Sequence, residues 1–165
     1  MSYSIDEMAP CDWDSVRTIY EEGIATGDAT FETAAPDWEK WDSSHLREAR
    51  LVARSDGEVL GWAALSRVSE RCVYAGVAEV SVYVGKTQQG RGIGGALLEA
   101  LIVESERSEV WTLQAGIFPE NYSSIVIHKK HGFREVGFRK RLGKLNGIWR
   151  DVLLLERRSA ITGLG

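Results

Sequence analysis

Apolar residues fall at two periods along the chain. Trp13, Val16, Ile19, Tyr20, Gly23 and Ile24 recur every three or four residues, the period of one helix face, and Asp12 stands where an N-cap belongs. Residues 3–5 ahead of them read as a short strand. Pro36 suits a first helical turn and predicts a second helix carrying Trp38 and Trp41 toward Leu46. Residues 51–53 and 59–64 then flank Asp56-Gly57, a dipeptide that closes two-residue hairpins. A long strand is predicted over residues 77–84, followed by a helix with Ile93, Leu97, Leu98, Leu101 and Ile102 on its apolar face. A strand over 110–115, a helix over 121–130 and a strand from Phe133 follow, and Asn146-Gly147 turns the chain into a last strand at 149–155. The order β-α-α-β-β-β-α-β-α-β-β is mixed α/β with one crossover near residues 85–95. With no repeat or linker, residues 1–165 are expected to form a single domain, with 159–165 a frayed tail.

Composition narrows the classes. Of 165 residues, 44% are hydrophobic and 27% charged, as in globular proteins with a proper core. A net charge of −4 argues against a general nucleic-acid partner, although it leaves room for one basic pocket. No apolar run approaches the roughly 18–20 residues of a membrane span. The opening residues lack the basic and apolar regions of a signal peptide, so a cytoplasmic protein is expected. Cys11 and Cys72 share no motif spacing, which excludes a disulfide framework and a cysteine zinc site.

The informative segment is the strand 77–84 followed by Gly85-Lys86-Thr87-Gln88-Gln89-Gly90-Arg91-Gly92-Ile93-Gly94-Gly95 and a helix start. Glycines allow close backbone approach, and a helix N-terminus offers unpaired N–H groups and the positive end of its dipole, so together they can cradle a pyrophosphate. A Walker loop would need Gly-Lys-Ser/Thr at the helix start, where Gly94-Gly95-Ala96 stands. A dinucleotide fold would place the turn after the first strand of repeated βαβ units, which are missing. Gln89-Gly90-Arg91-Gly92-Ile93-Gly94 instead resembles the acyl-CoA loop, Gln/Arg-x-x-Gly-x-Gly/Ala, of the GCN5-related N-acetyltransferases (GNAT). Asn121-Tyr122-Ser123-Ser124-Ile125-Val126-Ile127-His128-Lys129-Lys130-His131-Gly132-Phe133 resembles the later signature of the same family, in the right order and at the right distance. The segment 78–84, with Arg71 and Tyr74 before it and residues 147–151 near the end, looks like the phosphinothricin and methionine-sulfoximine acetyltransferase branch, to which arsinothricin acetyltransferases are similar.

That resemblance implies a central mixed, mostly antiparallel twisted sheet of about seven strands flanked by about four helices. It implies acetyl-CoA as co-substrate without a metal, a small-molecule amine as acceptor, and a homodimer as an assembly common in the branch. The backbone of Val82, Tyr83 and Val84 would pair with the pantetheine arm. The loop Gln89, Gly90, Arg91, Gly92, Ile93, Gly94 and Gly95 would hold the pyrophosphate, and Asn121 would bond the arm or acetyl region. Lys86, Lys129 and Lys130 are further cations near these segments, with a solvated surface role as the plain alternative. For an amino-acid-like acceptor, Arg71 would anchor the acid group with Tyr74 nearby, and Thr30 and Phe31 would wall the site. Ser69 stands where some branch members carry a second cation.

Acetyl transfer needs a neutral amine, a donor for the developing carbonyl charge and a proton for the departing thiolate. Strand alternation puts Glu79, Ser81 and Tyr83 opposite the apolar Ala78, Val80, Val82 and Val84, so Glu79 faces the more polar side and is the candidate base. A salt-bridged strand glutamate is the plain alternative. His128 stands where the wider family commonly carries a tyrosine, and can serve as base, acid or substrate contact. His131 three residues on makes a weak metal signal and reads better as a cation at the helix C-terminus, while His45 reads as a packing or surface residue. The same chemistry on a polyamine, an aminoglycoside or a protein N-terminus stays open, as does a non-catalytic acyl-CoA sensor.

Overall fold

The computed structural model describes residues 2–165. These form a seven-stranded sheet in the order β1-β2-β3-β4-β5-β7-β6. The strands are β1 (Ser4–Glu7), β2 (Leu51–Ser55), β3 (Glu58–Arg67), β4 (Val77–Val84), β5 (Thr112–Ile117), β6 (Arg134–Leu145) and β7 (Ile148–Arg158). The helices are α1 (Trp13–Ala25), α2 (Trp38–Ser44), α3 (Ile93–Arg107) and α4 (Tyr122–Lys130). Neighbouring strands run antiparallel except β4 and β5, which are parallel because α3 returns the chain between them.

Alternation along β3 sends its side chains into two cores, and a third, smaller cluster forms from Phe118, Leu145 and Val152. Ala63 and Leu65 join Leu97, Leu98 and Leu101 of α3 on one face, with Leu113 and Leu155. Trp62 and Ala64 join Val16 and Ile19 of α1 and Trp41 of α2 on the other. β4 obeys the same rule: Val80, Val82 and Val84 pack toward the α3 core and Tyr83 toward the α1 core. The two dipeptides predicted as turns have positive φ throughout, 50° and 80° at Asp56-Gly57 and 49° and 81° at Asn146-Gly147.

Three local expectations change. Asp12 makes no capping bond to α1; its carboxylate accepts from the Ala9 N–H and from Arg54 Nη2, both at 2.9 Å, and so fixes the chain ahead of the helix. The second helix begins at Trp38 rather than near Pro36, because Asp37 caps it by accepting from the Lys40 N–H at 2.9 Å. Residues 159–163 are tied to the body instead of frayed. The Ser159 hydroxyl accepts from Ile161 and Thr162 N–H, and the Arg158 guanidinium donates to the carbonyls of Trp111, Thr162 and Gly163.

β6 carries a bulge the hydrophobic pattern did not announce. Arg139 faces Val152 and Gly143 faces Arg150, so three residues of β6 oppose one of β7. Arg141 lies within it at φ 48°, and its N–H donates to Asp151 Oδ1 at 2.7 Å.

Candidate active site

β4 and β5 share a register only from Val77↔Thr112 to Glu79↔Gln114, and then the strands part. From there to Val84, β4 keeps its pairing with β3, so one edge of its backbone borders the fork. A cleft of about 1880 Å3 opens there. This exceeds the roughly 300–1,000 Å3 of a single small-ligand pocket and leaves room for two reactants.

One end of the cleft is made by the start of α3. Gly90 and Gly92 both have φ 78°, and a Cβ at either would meet nothing within 4 Å, so backbone conformation rather than crowding calls for glycine. Gly92 is the N-cap of α3, and Ala96 N–H donates to its carbonyl at 3.1 Å. The N–H groups of Ile93, Gly94 and Gly95 therefore precede the first intrahelical bond and face out of the helix end. Val82, Tyr83, Val84, Gln89, Gly90, Gly92, Ile93, Gly94 and Gly95 all line the cleft. Arg91 is outside the lining, with its guanidinium bonded to Gln88 Oε1. Of the neighbouring lysines only Lys130 reaches the lining, and Lys129 pairs with Glu135 at 2.5 Å.

Glu79 is exposed on the cleft and accepts from Gln114 Nε2 at 3.2 Å. It is the last residue of β4 paired with β5, so it sits where the fork opens. His128, on α4, also lines the cleft and is buried. Its Nδ1 lies 2.6 Å from the Ser124 carbonyl, which can only accept, so Nδ1 carries the proton and Nε2 keeps a lone pair. Burial pushes its pKa below the ordinary imidazole value, and His131 adds to this. His131 caps the end of α4 with Nδ1 2.8 Å from the Ile127 carbonyl. Asn121 caps the start of α4 by accepting from Ser124 N–H at 3.4 Å, while its Nδ2 donates to the Asp28 carbonyl at 3.2 Å.

Thr30 and Phe31 lie on the cleft, in the segment joining α1 to α2, and Phe31 meets Phe118 edge-on at 4.9 Å. Arg71 and Tyr74 stand together on the β3–β4 connection, guanidinium over ring at 5.6 Å, and are not among the lining residues. Besides Lys130, the cations that line the cleft are Lys40 and Arg139. Arg139 faces Val152 across the β6–β7 ladder and both line the cleft, while Leu142, which strict alternation would put on the other face, reaches it from within the β6 bulge. The sequence reading missed these residues and Gln114, since a bulge and a parallel register leave no local pattern. His45 is a packing residue stacked on Trp41 at 4.2 Å, and burial lowers its pKa. The Tyr83 phenol is raised by burial and by the neighbouring Tyr20 and Glu32, so it stays protonated.

Among the described residues no cluster of three or more His, Cys, Asp or Glu is placed to hold a metal ion, and no helix is long and apolar enough to cross a membrane.

A strand fork, a glycine-capped helix at its mouth and a second helix across it define an acetyltransferase of the GNAT type. The profile of the Acetyltransferase (GNAT) family matches residues 13–133, and the chain belongs to that family. It is 32% identical over 152 residues to a phosphinothricin N-acetyltransferase of Alcaligenes faecalis, covering 88% of this chain and 77% of the relative. It is 29% identical over 162 residues to an L-methionine sulfoximine/L-methionine sulfone acetyltransferase of Pseudomonas aeruginosa, covering 94% of each. The crystal structure of a GNAT phosphinothricin acetyltransferase from Sinorhizobium meliloti in complex with AcCoA is similar at TM-score 0.89 and 26% identity, covering 100% of this chain and 92% of that one.

Proposed function

We propose that this chain transfers the acetyl group of acetyl-CoA to the α-amine of a small amino acid or amino-acid-like antimetabolite, of the phosphinothricin or methionine sulfoximine kind, in a ternary complex in the cytoplasm. The observation that carries this is the fork of β4 and β5, with Glu79 at its apex and the free N–H groups of α3 at its mouth. The arrangement fits the coenzyme: open positive-φ glycines admit a diphosphate against those N–H groups, and the β4 edge can accept an extended amide-bearing arm. Bound there, acetyl-CoA supplies the thioester that is cleaved.

Glu79 takes the proton of the acceptor ammonium, directly or through water. The freed lone pair forms the new C–N bond as the C–S bond breaks, and the further proton that the nitrogen must lose to become an amide passes, directly or by way of His128, to the departing thiolate. His128 rests neutral, so it begins as a proton acceptor and donates to the thiolate only after it has gained a proton. Arg139, which lines the cleft beside its cross-strand partner Val152, pairs with the acceptor's acid group, with Thr30 and Phe31 as the wall. Arg71 is the other arginine we assign to that end, acting from the β3–β4 connection. A second copy of the chain would pack on the outer edge of β6, where Phe138 is 57% exposed.

The test is thiol release from acetyl-CoA across phosphinothricin, methionine sulfoximine, methionine sulfone, ordinary amino acids, spermidine, an aminoglycoside and a peptide N-terminus. Turnover confined to the amino-acid set supports the proposal. Turnover confined to polyamine, aminoglycoside or peptide moves the activity to that class, and tight acetyl-CoA binding without any turnover makes the chain a sensor. Arg139→Gln raising the acceptor KM more than Arg71→Gln identifies the anchor, and the reverse order returns that role to Arg71.

A further inference from the structure

The segment 26–37 between α1 and α2 has no regular secondary structure, yet it forms one wall of the acceptor end of the cleft. A wall of that kind needs an external brace to hold its shape, and a single side chain from β7 supplies it. Arg150 Nη1 donates to the Gly27 carbonyl at 2.7 Å, and Nη2 donates to Asp28 Oδ1 at 2.8 Å. The same Nη2 reaches Glu120 Oε2 at 3.3 Å, and the guanidinium lies over the Phe118 ring at 4.1 Å. The side chain is only 15% exposed, so these bonds are partly shielded from water. One planar fork thus joins the wall to the β5–α4 connection, which no point charge could do.

Two further contacts close the circuit. Asn121 Nδ2 donates to the Asp28 carbonyl, so the residue that caps α4 grips the same point of the wall. Phe31 packs on Phe118 and over Gly143, where an added Cβ would stand 3.1 Å from its ring. The wall, the cap of the helix bearing His128 and the β6–β7 hairpin therefore meet around one guanidinium.

We infer that Arg150 is a positioning residue: it holds the 26–37 wall in register with α4, and so sets acceptor affinity without touching either reactant. This rests on the proposed function for its assignment of that end to the acceptor. Acetyl-CoA binds at the other end, against α3, so the two substrates separate the effect.

The experiment compares Arg150→Met, Arg150→Lys and Asp28→Asn with the parent, reading KM for both substrates, kcat, thermal midpoint and amide hydrogen exchange across 26–37. Arg54→Lys, in a half-buried ion pair with Asp6 and Asp12 away from the cleft, controls for the loss of any arginine fork. Arg150→Met is expected to raise the acceptor KM about tenfold or more, to leave the acetyl-CoA KM within about twofold, and to speed exchange in 26–37. Arg150→Lys should recover part of this, keeping one bond of the fork. The effects of Arg150→Met and Asp28→Asn should be less than additive. Equal rises in both KM values, or no change in either, would overturn the inference, as would a lower midpoint with unchanged exchange in 26–37. If Arg150→Met does not fold, Arg150→Lys and Asp28→Asn carry the same comparison. If the parent acetylates nothing in the acceptor panel, the proposed function fails by itself. Exchange in 26–37 then decides the brace: faster in Arg150→Met than in Arg54→Lys supports it, and equal protection removes it.

Discussion

Glu79 and His128 reach the cleft by different physics, and this separates what each can do. Glu79 is held by one 3.2 Å bond from Gln114 and is open to water, so it can exchange protons freely with solvent. His128 is buried, its Nδ1 proton fixed on a carbonyl and its pKa lowered. Glu79→Gln should therefore lower kcat/KM by about 10²–10⁴-fold while leaving the fold intact. A pH–rate profile of the variant tells the two groups apart. An acid limb that survives the substitution and lies below about pH 6.5 belongs to His128, and its absence takes His128 out of the profile. Burial of neutral imidazole also bears on stability. For His45 and His128 the folded value lies below the unfolded one, so the unfolded chain binds protons first as pH falls. Stability is full above about 6.5 and declines below it, through the interval down to the lowered folded values. Thermal midpoints between pH 7.5 and 5.5 should show this decline, and His45→Gln should flatten it; a variant tracking the parent throughout would exclude His45 as a contributor.

At the scale of elements, the legible parts of the sequence were those with short-range physics. The 3.6-residue stripe of α3, the alternation of β4 and the Asp56-Gly57 and Asn146-Gly147 turns each depend on neighbours within a few residues, and all are present in the structure. Strand order, the parallel register that stops at Glu79 and the β6–β7 pairing that sets Arg139 beside Val152 on the cleft depend on partners many residues away, and no local pattern encodes them. The contact of the Arg91 side chain with Gln88, which keeps it out of the cleft lining, is likewise not written in the glycine motif. A contrast between two glycines tests this cradle. Gly92→Ala forces an L residue to φ 78°, at about 1–2 kcal/mol. It should lower the thermal midpoint by several degrees and weaken acetyl-CoA binding. Gly94 lies in α3 with ordinary φ and neighbours at 3.5 Å, so Gly94→Ala should keep or raise the midpoint. Equal losses of stability in both would show that crowding, not conformation, selects glycine there.

For the molecule as a whole, the cleft is lined by residues of both cores, Ile93 and Leu98 from one and Trp41 and Tyr83 from the other, so a ligand lodged in it touches both faces of the sheet. Acetyl-CoA should therefore stabilise the entire fold and not only the loop it touches. At one hundred times its Kd the linkage is about 2.7 kcal/mol. For a chain of this size each kcal/mol moves the midpoint by about 2–4 °C, which gives a rise of about 5–10 °C. Salt decides what kind of grip produces it. The chain carries a net charge of −4, so distant charges repel a polyanionic thioester and added salt screens that repulsion, while bonds from the N–H groups of α3 act at contact and are screened little. The shift should persist with only a modest change between about 0.05 and 0.5 M salt, and Arg91→Ala should reproduce it within about threefold in Kd. A steep loss of affinity with salt, abolished in Arg91→Ala, would instead place the phosphates on side-chain cations and take the helix N-terminus out of the binding site.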